Sequence, residues 1–364
     1  MGRLSRLAAL AFVSLALVGG CTEELYEPNV LFFGEWIDID GRDRSPEETC
    51  GGTFAYVDAY AGAVAAEFGV SEHLGAYRWY SPEQYAVELP CDDINYSCAS
   101  TDGVAHSWAL PIEHEVAHLA NFIAGICPDA LGEGLAEVYS ANAFDAKTHD
   151  FELLVARMQE PSIPPSDREY GILGRFAAYL VARFGLEAVL DVCRTTGSSP
   201  SGPQLSAAME SVLGVSTDEL LTDFEPELGS CNRARDYRWR VFGCGVAEAA
   251  PDLGRVSLDS ERSIETTFAL DCANDTTIGP LGDMVWTAGR FDVGADGIYM
   301  LSVDGDGLDI SEVELRLTHC EPCGNALILP GEIVGPEILD AGRYSLELHA
   351  PADFRGSVRV TLEP

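Results

Sequence analysis

The stretch IEHEVAHLANFIAGICPDALGEGLAEVYS, Ile112 to Ser140, governs how the rest of the chain is read. The chain has 7 histidines in 364 residues, yet His114 and His118 stand four apart, with Glu115 directly after the first. On a helix of 3.6 residues per turn these imidazoles lie on one side, about 40° apart. Ile112, Val116, Leu119, Ile123 and Ile126 gather near the opposite side and are expected in the core. Leu110, Asn121 and Gly125 share the histidine side, which suits the floor of a polar cleft. Pro111 is expected in the first turn of this helix.

The spacing has a chemical reason. Two imidazoles one turn apart can bind one zinc ion, and Glu115 projects from the next position round the helix. It can take a proton from water activated by the metal without capping the metal itself. A catalytic zinc site needs a third protein ligand. The segment CPDALGEGLAEVYS offers Glu133 and Glu137, four apart on one helical face, with Asp129 as a rival. Gly132 and Gly134 remove bulk beside Glu133 and are expected to let the two helices approach.

HEVAH at 114–118, followed by EGLAEVYS at 133–140, resembles the gluzincins of the peptidase MA-like group. Ala130 stands where that pattern carries tryptophan, a departure in packing and not in ligands. YGILGRFAAYLVARFG, residues 170–185, resembles the helix that follows in the same group. The resemblance spans about residues 31–225 and is specific around 112–180. It implies a zincin-like metallopeptidase domain, built from an N-terminal sheet plus helices. It further implies a zinc ion held by His114, His118 and Glu133, with Glu115 as general base and a peptide or protein as substrate. Glu137 would orient a histidine or the backbone. Tyr170 matches the position of a tyrosine that some members use to stabilise the tetrahedral intermediate, although a structural tyrosine is the commoner case. The strand expected at GVAHSW, residues 103–108, would be the edge that forms the rim of the cleft. Two other readings stay open: a non-catalytic binding lipoprotein with a residual zinc site, and a zinc hydrolase acting on a non-peptide amide.

Toward the N-terminus, MGRLSR and the apolar run LAALAFVSLALVGG are expected to form a leader over residues 1–20, too short for a comfortable membrane span. Val18-Gly19-Gly20-Cys21 resembles the lipobox of bacterial lipoproteins, which implies lipid on Cys21 and a place in the cell envelope. Thr22 after the cysteine favours the outer membrane. Residues 21–30 are expected to be a tether. Without the leader, which holds Arg3 and Arg6, the balance is 20 basic to 59 acidic residues. Such acidity disfavours nucleic acid and anionic membrane surfaces as partners.

Eleven cysteines in an exported chain imply disulfides. With Cys21 set aside, Cys50, Cys91, Cys98, Cys127, Cys193 and Cys231 form one even set. Cys244, Cys272, Cys320 and Cys323 form another. Two separately cross-linked domains are therefore expected, with no bridge between the sets and a Cys320–Cys323 disulfide as the reading of CEPC. The hydrophobic period changes at the same place. Residues 31–240 mix strands and mainly helices. Residues 241–364 alternate apolar and polar residues, as in GIYMLSV and GRYSLEL, which predicts a small antiparallel β-sandwich. Both segments carry G-x-Y-x-L and are expected to be equivalent strands. Asp304-Gly-Asp-Gly-Leu-Asp309 reads as an acidic turn in preference to a calcium loop. His73, His106, His149, His319 and His349 have no partner pattern. The fold class expected is α+β.

Overall fold

The structure is a computed structural model. It describes residues 28–88, 90–91, 97–140, 150–166, 168–226, 244, 252–258, 262–305, 309–320, 326–331 and 334–364. The leader, Cys21, most of the tether, His149, Cys231, Cys323 and the middle of the acidic turn lie outside the described residues. So does nearly all of the expected domain break between Phe224 and Cys244.

The chain is α+β. Its first sheet contains β1 (Val30–Phe32), β2 (Ile37–Asp40), β3 (Gly75–Trp79), β4 (Ser97–Ser100) and β5 (Val104–Ser107), in the order β1-β2-β3-β5-β4. The run LFFGEWIDI, one strand by its composition, is split into β1 and β2 as an antiparallel pair. Helix α1 (Thr53–Glu67) supplies the crossover that lets β2 and β3 run parallel. The Asp58 carboxylate on α1 accepts the N–H groups of Glu35, Trp36 and Ile37, which ties the entry of β2 to the helix. GVAHSW forms β5, paired on both sides, so it is not the edge strand expected of it. The edge is β4, antiparallel to β5.

Helices follow: α2 (Pro82–Glu88) between β3 and β4, then α3 (Glu113–Ala124), α4 (Asp129–Ser140), α5 (Phe151–Gln159), α6 (Tyr170–Phe184), α7 (Leu186–Thr196), α8 (Gly202–Leu213) and α9 (Thr217–Phe224). Pro111 lies one residue before the N-cap, Ile112, in place of the first turn, and the Leu110–Pro111 peptide is cis. The apolar stripe of α3 is shorter than its spacing suggests. Val116 and Leu119 are buried, but Ile123, in the last turn, is 38% exposed, and Ile126, past the C-cap Gly125, is 40% exposed. The first nine residues of α3, Glu113 to Asn121, are all buried, carboxylates and imidazoles included. Gly134 is required where α4 meets α6, since a Cβ there would stand 2.7 Å from the Leu173 carbonyl oxygen. A Cβ at Gly132 would meet only ordinary contacts, 3.6 Å from Asn121 Nδ2 and 3.7 Å from Cys127 Cβ. The close approach that glycine permits is thus with α6 and not with α3.

The C-terminal third is a two-sheet sandwich. One sheet orders β13 (Val334–Leu339), β10 (Gly297–Asp304), β15 (Ser357–Glu363) and β7 (Ile264–Ala269). The other orders β12 (Ala326–Pro330), β11 (Glu314–His319), β14 (Gly342–Pro351), β9 (Met284–Val293) and β6 (Asp252–Val256), with β8 (Ile278–Leu281) also on β9. The β6–β9 pair is parallel, so the sandwich is not purely antiparallel. The two G-x-Y-x-L segments, in β10 and β14, turn Tyr299, Leu301, Tyr344 and Leu346 into one core from facing sheets. Each tyrosine hydroxyl donates to the carbonyl four residues back, Ala295 or Asp340.

The cysteine expectation fails. Cys50 bridges Cys272 across 222 residues, joining the loop before α1 to the sandwich. Cys320 pairs with Cys244, not with Cys323. Cys91–Cys98 and Cys127–Cys193 complete the bridges among the described residues. Even numbers in each set permit internal pairing but do not enforce it, and here the two parts pack on one another. The Gly51 and Gly52 amides donate to the Cys272 and Thr277 carbonyls, and the Thr53 hydroxyl donates to the Gly279 carbonyl. Trp286 of β9 meets Tyr56 of α1 edge-on, with ring centroids 4.7 Å apart.

Candidate metal centre

Helix α3 delivers His114 and His118, and α4 delivers Glu133, to one point. His114 Nε2 and Glu133 Oε2 are 2.9 Å apart, the two Nε2 atoms 3.1 Å, and His118 Nε2 and Glu133 Oε2 3.2 Å. Among the described residues these three form the group able to hold a metal ion. Donors placed tetrahedrally round an ion at zinc-like bond lengths are spaced about 3.3 Å. The observed triangle is close to that, and its donor set of two imidazoles and a carboxylate suits a first-row divalent ion. Two imidazole nitrogens facing at this distance can hold only one proton between them. Burial opposes charge on His114, yet the Glu133 and Glu137 carboxylates outweigh it and hold its pKa well above the ordinary imidazole range. Burial likewise pushes Glu133 up, but His118 and His114 pull it well below the usual carboxylate range.

The surrounding residues sort by reach. Glu137, one turn after Glu133, does not enter the triangle. Its Oε1 faces His114 Nδ1 at 3.0 Å, and among the described residues neither atom has a hydrogen-bond partner elsewhere. It faces the ring nitrogen opposite the one that meets Glu133. Asp129 is absent from the donor group, and burial followed by the nearby Glu133 raises its pKa. The Tyr170 ring, at the start of α6, lies edge-on to His114, with centroids 5.8 Å apart. Phe122 stacks on His118 at 5.9 Å. Glu115 is buried beside the triangle and outside it, and its Oε1 accepts a 2.7 Å hydrogen bond from the Ser97 hydroxyl of β4.

Three features have little trace in the sequence. Ser97 lies 18 residues before Glu115 in a short polar strand, and only the sheet order brings it near. Glu113 accepts a 2.6 Å bond from the Tyr56 hydroxyl, which ties the first turn of α3 to α1 and so to Trp286. Glu347 and His349 on β14, 2.9 Å apart, alternate with core residues and would be expected on a solvated face, but both are buried. The other described histidines stand away from the centre: His106 bonds the Tyr80 hydroxyl, His73 neighbours Asp38, and His319 packs on Tyr344.

No family model matches the chain, and no curated protein matches it. Among solved structures, the chain is similar to the pre-peptidase C-terminal domain of a collagenase from Bacillus anthracis, at 15% identity over 31% of this chain and 95% of that one, with a TM-score of 0.22. It is also similar to a β-glucosidase from Paenibacillus barengoltzii, at 11% identity over 43% of this chain and 17% of that one, with a TM-score of 0.20. Both TM-scores are too low to establish a shared fold.

Proposed function

We propose that this chain is a zinc-dependent metallopeptidase with a zincin-like, gluzincin-type catalytic domain, exported and anchored through lipid on Cys21. The observation that carries the reading is the place of Glu115. It stands on the same helix as two of the three donors, buried beside them and not among them. A purely structural metal site has no use for a carboxylate there.

His114, His118 and Glu133 are the residues that would hold the ion. When bound, zinc supplies Lewis acidity and brings the pKa of water toward neutrality. Glu115 takes the proton from the attacking water at Oε2, its Oε1 being engaged by Ser97, and passes it to the leaving amine. Glu137 keeps His114 oriented. Tyr170, whose ring meets that of His114, would steady the tetrahedral intermediate. Strand β4, outermost in its sheet and next to Glu115, offers main-chain groups to an extended peptide. Export and the anchor rest on the N-terminal sequence. Among the described residues no helix is long and apolar enough to cross a membrane.

The test is peptide-library hydrolysis by wild type and Glu115→Gln at matched zinc occupancy. Glu115→Gln should keep zinc and lose about 10²–10⁴-fold in kcat, the usual share of general-base catalysis. Equal rates, or no cleavage of any peptide by wild type, would refute the peptidase reading and favour a binding lipoprotein.

A further inference from the structure

We infer that Ser97 is the positioning residue for Glu115: its hydroxyl, donated from the edge strand, fixes the carboxylate that serves as general base. The inference rests on the peptidase reading above. The Ser97 hydroxyl meets Glu115 Oε1 at 2.7 Å. That is a well-formed length for a hydroxyl donating to a carboxylate oxygen. The hydroxyl engages Oε1 and not Oε2.

The donor is itself well held. Ser97 pairs with Ser107 on β5. Its neighbour Cys98 is bridged to Cys91, a sequence separation of 7, so the strand is clamped within one residue of the hydroxyl. Behind the clamp Tyr80, Tyr85 and Cys91 form a small buried cluster with Cys98 and Trp108. A glutamate has three rotatable bonds and a serine one. Coupling the first to the second therefore places the carboxylate by the backbone of a fixed strand. Catalytic groups lose effect when they stray by about half an ångström. Because the Ser97 hydroxyl donates to Glu115 and not to a metal donor, its effect should appear in turnover and not in metal binding.

The experiment compares wild type, Ser97→Ala, Ser97→Thr and the Ser97→Ala/Glu115→Gln double variant, all zinc-loaded, with a peptide that wild type cleaves. Ser97→Ala should lose roughly tenfold to a hundredfold in kcat, with KM within about twofold and zinc content unchanged. Ser97→Thr keeps a hydroxyl and should return kcat to within about threefold of wild type. In the Glu115→Gln background, Ser97→Ala should cost little more, since the two act as a unit. Wild-type kcat in Ser97→Ala, no repair by threonine, a full additive loss in the double variant, or loss of zinc would each overturn the inference. A crystal structure of the wild type gives a reading independent of activity. Glu115 within hydrogen-bond reach of Ser97 supports the assignment, and a carboxylate turned away from Ser97 overturns it. An inactive wild type would count against the peptidase reading alone, and the crystallographic result would still decide the contact.

Discussion

Gly132 and Gly134 flank Glu133 in α4, and alanine at the two positions should have opposite effects. Replacing a glycine by alanine inside a helix is worth about 0.8–1.0 kcal/mol from propensity alone. At Gly132 nothing opposes that gain, because the new Cβ would sit 3.6 Å from Asn121 Nδ2 and 3.7 Å from Cys127 Cβ. Gly132→Ala should therefore stabilise by about 1 kcal/mol, a rise of roughly 2 °C in Tm for a chain of this size. At Gly134 the new Cβ would stand 2.7 Å from the Leu173 carbonyl oxygen and 3.1 Å from Ala177 Cβ. The first is backbone and cannot swing aside, so α4 and α6 must separate along an interface that includes Leu135, Leu173 and Phe176. Overpacking of this kind costs typically about 1–3 kcal/mol, which outweighs the propensity gain at most of that range. Gly134→Ala should lower Tm. It should also weaken metal binding, since the displaced helix carries Glu133 next door. Calorimetry of both variants, with and without zinc, measures the two effects. A Gly134→Ala protein as stable as Gly132→Ala, with unaltered metal affinity, would refute the account of how α4 is seated.

Glu137→Gln should keep the fold and lose about tenfold to a hundredfold in zinc affinity, because His114 Nδ1 loses the carboxylate facing it. Metal competition against a fluorescent chelator measures this, and unchanged affinity would remove Glu137 from the site. His106 gives a pH signature: burial, then the nearby Arg78, brings its pKa down to about 4. The unfolded chain therefore binds the extra proton first, and this share of stability, present above about pH 6.5, is lost as pH falls toward 4. Tm measured against pH should fall less steeply over that window in His106→Asn than in wild type, and parallel curves would contradict it. Removing the Cys50–Cys272 bridge with serine at both positions should cost up to about 5 kcal/mol, given a closed loop of 222 residues of separation. Chemical denaturation of the variant against wild type tests that figure.

Much of the site is legible in the sequence for a simple reason. Two of its three donors are one helical turn apart, so local geometry alone brings them together, and the third follows on the next helix. The α+β character is legible from the change of hydrophobic period. The missed features depend on long-range pairing. Whether GVAHSW is an edge or a central strand depends on where the SCAS strand lands, and nothing in either segment states it. Ser97 becomes relevant only once β4 is the edge. Ile123 and Ile126 fit the apolar stripe of α3 but lie beyond the part of the helix that other elements cover. The cysteine count failed because parity says nothing about partners when two packed parts share an interface.

The Cys50–Cys272 bridge also constrains the oxidation of the chain. The chain is made from its N-terminus, and six cysteines, Cys91, Cys98, Cys127, Cys193, Cys231 and Cys244, emerge between Cys50 and its partner. Any bond Cys50 forms with one of these six is non-native and has to be undone by thiol–disulfide exchange. Cys50 leads directly into α1, and α1 carries Tyr56, which holds Glu113 at the head of the metal helix. The residues of the centre are thus translated within the first 140 positions, but the support beneath them is sealed only after the sandwich has been made. A chain cut short before Cys272 would carry His114, His118 and Glu133 without the bridge that clasps their support.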